Sequence, residues 1–320
     1  MSYHVPSPRT NMMPLSTQPG AAGALARFWR RTYAPDYVAL SVVAVGWVMI
    51  QLFVHPFHRM FSLDNVALQY PFAQVERVSV LWSVIYAGVI PLIILVLWGI
   101  FFRPDAHKFH VTVLGLVVTL AVGSFITDLI KNAVGRPRPD LIDRCKPGRG
   151  TPDHELVTYT VCTQPNQHIL DEGWRSFPSG HSSFAFGGLG YLAMFFAGQM
   201  HVFRPRADLA RCLLVLAPLL GALMIAISRC EDYRHDVWDV TCGGLLGITV
   251  AYMSYRRYYP PLRSVRCHVP YDKSDVPLVD GFSKLADDEE RQESRSHRTS
   301  PQWQSPEESF QLEEPADQAR

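Results

Sequence analysis

The chain of 320 residues has almost no net charge, +1 with histidine counted neutral. That balance argues against nucleic acid as the main partner, because such partners select strong positive charge. Cysteine is scarce. Six in this length do not make a disulfide framework. No Asn-x-Ser/Thr acceptor occurs, so no N-glycan is expected. No internal repeat is visible. Residues 1–35 hold several prolines and no continuous apolar core, so a cleavable signal peptide is not expected. The first spanning helix then has to serve as the membrane signal.

Hydrophobic residues make up 48% of the chain, and they are placed unevenly. Six apolar runs cover Val38–Val54, Val80–Phe102, Val111–Ile130, His181–Gly198, Cys212–Ser228 and Val237–Tyr255. Several approach the ~20 residues that cross ~30 Å of hydrocarbon. One run alone also fits a buried helix of a soluble protein; six together predict a membrane bundle. The fifth carries Pro218, which predicts a kink. Residues 1–36 read as a disordered cytosolic N-terminus and 37–259 as the six-helix membrane domain. Residues 260–320 read as a disordered cytosolic tail, with Asp287-Asp288-Glu289-Glu290 and the sites Ser300-Pro301 and Ser305-Pro306.

Basic residues in short loops orient the bundle. Arg27, Arg30 and Arg31 precede the first run, and Arg103 and Lys108 follow the second. Arg204, Arg206 and Arg211 follow the fourth; Arg256, Arg257, Arg263 and Arg266 follow the sixth. With six spans these segments share one side, predicted cytosolic. Loops 55–79, 131–180 and 229–236 then fall on the luminal or extracellular side. The loop 131–180 is also basic, against the rule, but a functional reading accounts for its charge. It is long for a connection and therefore read as functional. On an oxidising side its Cys145 and Cys162 are candidates for a disulfide, with free thiols as the alternative. The sequence selects no organelle: vacuole, endoplasmic reticulum/Golgi and plasma membrane all fit. Oligomeric state is equally open.

Three polar clusters sit at ends of these runs on that outer side. The first is Lys131 with Gly135, Arg136, Pro137, Arg138 and Pro139. Gly135 and Pro137 stop the helix, so Lys131 and Arg138 can approach one point and suit a phosphate. Snorkelling of Lys131 to the headgroups, or a pair with Asp128 three residues earlier, is the competing account. The second is Phe177-Pro178-Ser179-Gly180-His181-Ser182-Ser183. Ser179 suits an N-cap, Gly180 permits close approach, and a helix N-terminus suits an anion. His181 would stand beside that anion; a plain capped helix is the alternative. The third runs from Ser228 and Arg229 to His235 and Asp239. His235 and Asp239 share a helix face at i, i+4, and Asp239 lies inside a spanning run, where an ionisable group marks function. Glu231, Asp232, Arg234 and Asp236 read as a solvated interfacial turn. Three cations, a helix N-terminus and two histidines together make an anion site with acid–base groups, best matched by a phosphate monoester.

These residues resemble the type-2 phosphatidic acid phosphatases, the lipid phosphate phosphatase superfamily. The family signatures K-x6-R-P, P-S-G-H and S-R-x5-H-x3-D stand here as Lys131 with Arg138-Pro139, Pro178-Ser179-Gly180-His181, and Ser228-Arg229 with His235 and Asp239. The resemblance covers about residues 37–260, including Gln69-Tyr70-Pro71. The stretch Gly135 to Cys145 looks most like fungal diacylglycerol pyrophosphate phosphatases. Asp236 departs from many relatives, which carry a second histidine there.

The resemblance implies an all-α fold: a six-transmembrane bundle around a vanadium-haloperoxidase-like phosphatase core. It implies that His235 is the nucleophile and forms a phosphohistidine, that Asp239 orients His235, and that His181 is the general acid and base. Lys131, Arg138, Ser179, Gly180 and Arg229 would hold the phosphate oxygens. No Asp-x-Asp occurs, which removes the usual Mg²⁺-dependent aspartyl nucleophile. No metal or cofactor is expected. Phosphatidate, lysophosphatidate and diacylglycerol pyrophosphate are the implied substrates, reached from the bilayer. Sphingoid-base phosphates or polyprenyl diphosphates are the alternative substrates, and a non-catalytic lipid-phosphate-binding membrane protein the alternative class. A transporter lacks support, with no inverted repeat or broken central helix evident. The soluble haloperoxidases share the signatures but not the apolar runs.

Overall fold

A computed structural model describes residues 20–271, apart from 22, 23, 26, 27, 30, 31 and 206. Arg27, Arg30, Arg31, Arg206, the acidic run at 287–290 and both Ser-Pro sites lie outside the described residues. Among the described residues the chain is helical, with isolated bridges but no strand. Helix α1 is Ala34–Phe53, α2 is Val80–Phe102, and α3 is Ala106–Val134. Two short helices follow, α4 at Leu141–Cys145 and α5 at Gln167–Glu172. Then come α6 at Gly180–Gln199, α7 at Leu209–Glu231 and α8 at Val237–Tyr258. The six apolar runs lie on the six long helices. Pro218 lies inside α7, and α2 carries a π-helical turn at Ile85–Val89.

Five helices are long and apolar enough to cross a membrane: α1, α2, α3, α7 and α8. Helix α6 has similar length, but Gly, Ser and Ala dilute its hydropathy. The reason is position. It is enclosed by its neighbours, and residues such as Ala185, Leu192 and Phe195 are fully covered. Lipid tails are as apolar as leucine, so close packing rather than hydrophobicity holds such helices together. Gly243 of α8 shows how: a Cβ there would stand 2.5 Å from the Ser179 carbonyl at the start of α6.

At the end away from the polar clusters, Leu95, Val111, Leu116, Tyr191, Phe195, Tyr255 and Tyr259 form one core. Their hydroxyls are paired; Tyr191 donates to the Thr112 carbonyl at 2.9 Å. The predicted tail boundary at 260 moves outward. Residues 260–271 pack against this end, where Cys267 is buried and Tyr271 N–H donates to the Tyr258 carbonyl at 2.9 Å.

At the other end the loops after α1 and α3 form an ordered cap rather than loose connections. Phe61, Leu68, Leu141, Cys145, Val157, Leu170 and Trp174 make its core. Trp174 donates to the Arg59 carbonyl at 2.8 Å, and a disulfide joins Cys145 to Cys162. This cap aims the chain between α3 and α4 at the start of α6.

Candidate active site

Helix α3 ends at Gly135, whose φ of +56° lies in the left-handed region open to glycine. The chain turns there, and Lys131, one turn earlier, is left buried. Its Nζ donates to the Arg175 carbonyl at 3.0 Å. Arg138 comes back from the loop and is locked by Glu172. Its Nε donates to the Glu172 carbonyl at 2.7 Å, and one terminal nitrogen donates to the Glu172 carboxylate at 2.8 Å. Burial pushes the Glu172 carboxyl upward, but Arg138, Arg175 and Lys131 outweigh it and hold it below the usual carboxylate range.

Ser179 caps α6, its Oγ accepting from the Ser182 N–H at 3.4 Å. Ser179 N–H donates to the Asp239 carbonyl at 2.9 Å, so the starts of α6 and α8 are tied through backbone. A Cβ on Gly180 would lie 3.4 Å from Lys131 Cε, so this turn abuts the lysine. His181 follows, with its Nε2 buried and without a hydrogen-bond partner.

The last turn of α7 carries Arg229, which donates to the Val78 carbonyl at 3.0 Å and pairs with Glu76 at 3.2 Å. Tyr233, at φ +51°, reverses the chain. His235 N–H then meets the Arg229 carbonyl at 3.3 Å. The His235 side chain is buried, and Arg138, Lys131, Arg229 and His181 surround it. Burial first, and then these cations, hold its imidazole well below the ordinary histidine value. Lys131, Arg138, Arg229, His181 and His235 are thus brought together from the three clusters. A neutral imidazole beside three cations can attack an electrophile that carries negative charge.

Asp239 is fully buried, but it does not hydrogen-bond His235. Its Oδ2 stands 3.8 Å from His235 Nδ1, beyond hydrogen-bond range, and that ring nitrogen has no partner. The carboxylate is held instead by Arg136 at 2.7 Å, Ser176 Oγ at 2.5 Å and the Asp236 N–H at 3.1 Å.

Two sequence readings need correction. Asp232 and Arg234 are not solvated: they are 3% and 8% exposed. Arg234 pairs with Glu76 at 3.0 Å and lies 4.4 Å over the Phe72 ring, and Asp232 accepts from the Arg77 N–H at 3.0 Å. Glu231 is exposed, as read, and Asp236 is half-buried and paired with Arg136 at 2.9 Å. Asp128 does not form an ion pair with Lys131. It pairs with Arg175 at 3.1 Å and accepts from Trp47 and Gln51 of α1 at 2.7 and 2.6 Å.

The supporting groups Glu76, Arg136, Glu172, Arg175 and Ser176 escaped the sequence reading. Arg136 was inside the first cluster and could have been noted as a third cation there. Glu76 had no local signal, because its partners are some 150 residues away. The sequence run Gln69-Tyr70-Pro71 does reach the site: Tyr70 N–H donates to the Pro139 carbonyl at 3.1 Å, and its ring stacks on Tyr233 at 4.5 Å.

A family model described as the PAP2 superfamily matches residues 112–262, which span all three clusters. The chain is 36% identical over 83% of its length to a probable diacylglycerol pyrophosphate phosphatase 1 of Schizosaccharomyces pombe, covering 94% of that protein. It is 38% identical over 73% of its length to diacylglycerol pyrophosphate phosphatase 1 of Saccharomyces cerevisiae, covering 83% of that protein. Lipid phosphate phosphatase 2 of Arabidopsis thaliana matches at 34% identity, over 80% of this chain and 85% of the other. With signatures, site and relatives in agreement, the chain belongs to the PAP2 superfamily.

Proposed function

We propose that this lipid phosphate hydrolase cleaves diacylglycerol pyrophosphate and phosphatidate, and lysophosphatidate as well, through a phosphohistidine. The observation that carries the reading is the convergence of Lys131, Arg138 and Arg229 on the buried His235, with the buried Nε2 of half-buried His181 beside them. His235 attacks phosphorus and the bond to the leaving oxygen breaks. His181 gives that oxygen a proton, then takes one from the water that cleaves the P–N bond. Lys131, Arg138, Arg229, Ser179 and the Gly180 N–H hold the non-bridging oxygens. Fixed cations there supply the charge stabilisation that phosphoryl transfer requires. The mechanism is therefore written without Mg²⁺ or another cofactor. Asp239 orients His235 after closing by about 1 Å to hydrogen-bond distance.

The names of the two fungal relatives favour the pyrophosphate as a substrate. Its hydrolysis yields phosphatidate, which the same site can take next. An acylated substrate enters from the bilayer, into which α6 is the sixth crossing of a haloperoxidase-like bundle. In this topology both termini are cytosolic and the cap and site face the lumen or the exterior.

The test is phosphate release from short-chain phosphatidate and diacylglycerol pyrophosphate in excess EDTA. A sphingoid-base phosphate and a polyprenyl diphosphate complete the panel. Wild type is expected to release phosphate and His235→Ala to fall by at least about 10³-fold. Equal release by both would sink the mechanism. Loss on chelation with recovery on Mg²⁺ would sink its metal independence.

A further inference from the structure

Arg136 belongs to none of the three signatures, yet its guanidinium bridges two carboxylates. One nitrogen is 2.7 Å from Asp239 Oδ1 and another 2.9 Å from Asp236 Oδ2. Asp239 is completely buried, whereas Arg136 is 32% and Asp236 43% exposed. A buried carboxylate stays charged only if it is paired and hydrogen-bonded, and Arg136 is the cation paired with Asp239. Ser176 Oγ and the Asp236 N–H meanwhile occupy Oδ2, the oxygen that faces His235 Nδ1 at 3.8 Å. Every hydrogen bond to Asp239 thus comes from groups other than the histidine it is meant to orient.

We propose that Arg136 is a positioning residue. Its fork fixes the Asp239 carboxylate, and through it the ring of His235, by tying the loop after α3 to the first turn of α8. The proposal rests on the phosphohistidine reading above. When His235 bonds to phosphorus its ring becomes cationic and holds a proton on Nδ1. Asp239 then accepts that hydrogen bond through Oδ2, while Arg136 keeps Oδ1 and so prevents the carboxylate from swinging away. Arg136 does not touch the phosphate. Its loss should therefore lower turnover without weakening substrate capture, since a displacement near 1 Å costs about 10²-fold in rate.

The experiment compares wild type, Arg136→Gln, Arg136→Lys and Asp236→Asn on short-chain phosphatidate, with Tm measured for each. Arg136→Gln is expected to cut kcat by about 10- to 100-fold with KM within about twofold. Arg136→Lys keeps the charge and should recover part of that loss. Asp236→Asn removes only the exposed arm and retains a good helix cap, so it should lower kcat less, again at constant KM. That variant also carries the test should Arg136→Gln fail to fold. A KM that rises while kcat holds would overturn the proposal, because Arg136 would then be binding the lipid phosphate itself. Wild-type kcat and KM in the folded variants would overturn it too. Wild type releasing no phosphate overturns the reading beneath it; wild type active with Arg136→Gln equal to it overturns only the clamp.

Discussion

His235 is buried among Lys131, Arg138 and Arg229, and both the burial and the cations oppose a fourth positive charge. Its folded value lies below that of a free histidine, about 6.5. As pH falls through 6.5 the unfolded chain takes up a proton that the folded chain refuses. The stability tied to this residue is therefore present above that pH and lost below it. His235→Gln lacks the effect, so its Tm should fall less than that of wild type between pH 6.5 and 5. Parallel curves from thermal unfolding in detergent would contradict the assignment. The site is also charge-compensated: Glu172 holds Arg138 and Glu76 holds Arg229. A phosphate bound as proposed would share cations already placed by carboxylates, so the donors would need little reorganisation when charge builds on the oxygens. Vanadate, which adopts the five-coordinate geometry at phosphorus, should accordingly inhibit, and phosphate-release assays that stay unchanged in its presence would count against the site.

Helices α6 and α8 bring Ser179 and Gly180 to His235 and Asp239, and they do so through backbone. Gly243 admits the Ser179 carbonyl, and Ser179 N–H binds the Asp239 carbonyl at 2.9 Å. Gly243→Val should therefore separate Ser179 and Gly180 from His235. Overpacking of this kind costs about 1–3 kcal/mol, and phosphate release should fall along with Tm. Gly123 of α3 is the contrast. A Cβ there meets no atom within 4 Å, so Gly123→Ala should leave activity intact and raise helix stability by about 0.5–1 kcal/mol. A drop in Tm for Gly123→Ala, or none for Gly243→Val, would refute this account of the packing. The apolar runs marked the six long helices because hydrophobic length is a local property. Their ends were less legible: α1 begins at Ala34 rather than Val38 and α3 continues to Val134. Helix α3 is bounded by its caps Asp105 and Gly135, not by hydropathy.

The cap gathers residues 61 to 174 over one end of the bundle, and through Glu172 and Arg175 it holds Arg138 and Lys131. The disulfide Cys145–Cys162 closes a loop within it. Cys145→Ser should lower stability by about 3 kcal/mol in the chain-entropy account and reduce phosphate release by loosening Arg138. Non-reducing mass mapping that recovers both thiols free, or an unchanged Tm, would speak against this. At the far end the first residues after α8 are ordered because Cys267 and Tyr271 find partners on α6 and α8. A composition poor in apolar residues could not announce that packing.

The spacing of Lys131, Arg138, Ser179, Gly180, His181, Arg229, His235 and Asp239 was enough to identify the family. Helix ends and i, i+4 faces are local geometry, and three signature segments in order leave few other readings. Which groups hold those residues was not readable in the same way. Asp128 chose Arg175 over its helical neighbour Lys131, and Asp232 and Arg234 went inside rather than to solvent. Asp239 was taken by Arg136 and Ser176. A buried charge must find a partner of opposite sign, but in a chain of near-equal positive and negative charge many partners qualify. Folding selects among them by bringing distant segments into contact, 47 residues apart for Asp128 and Arg175 and 103 for Arg136 and Asp239.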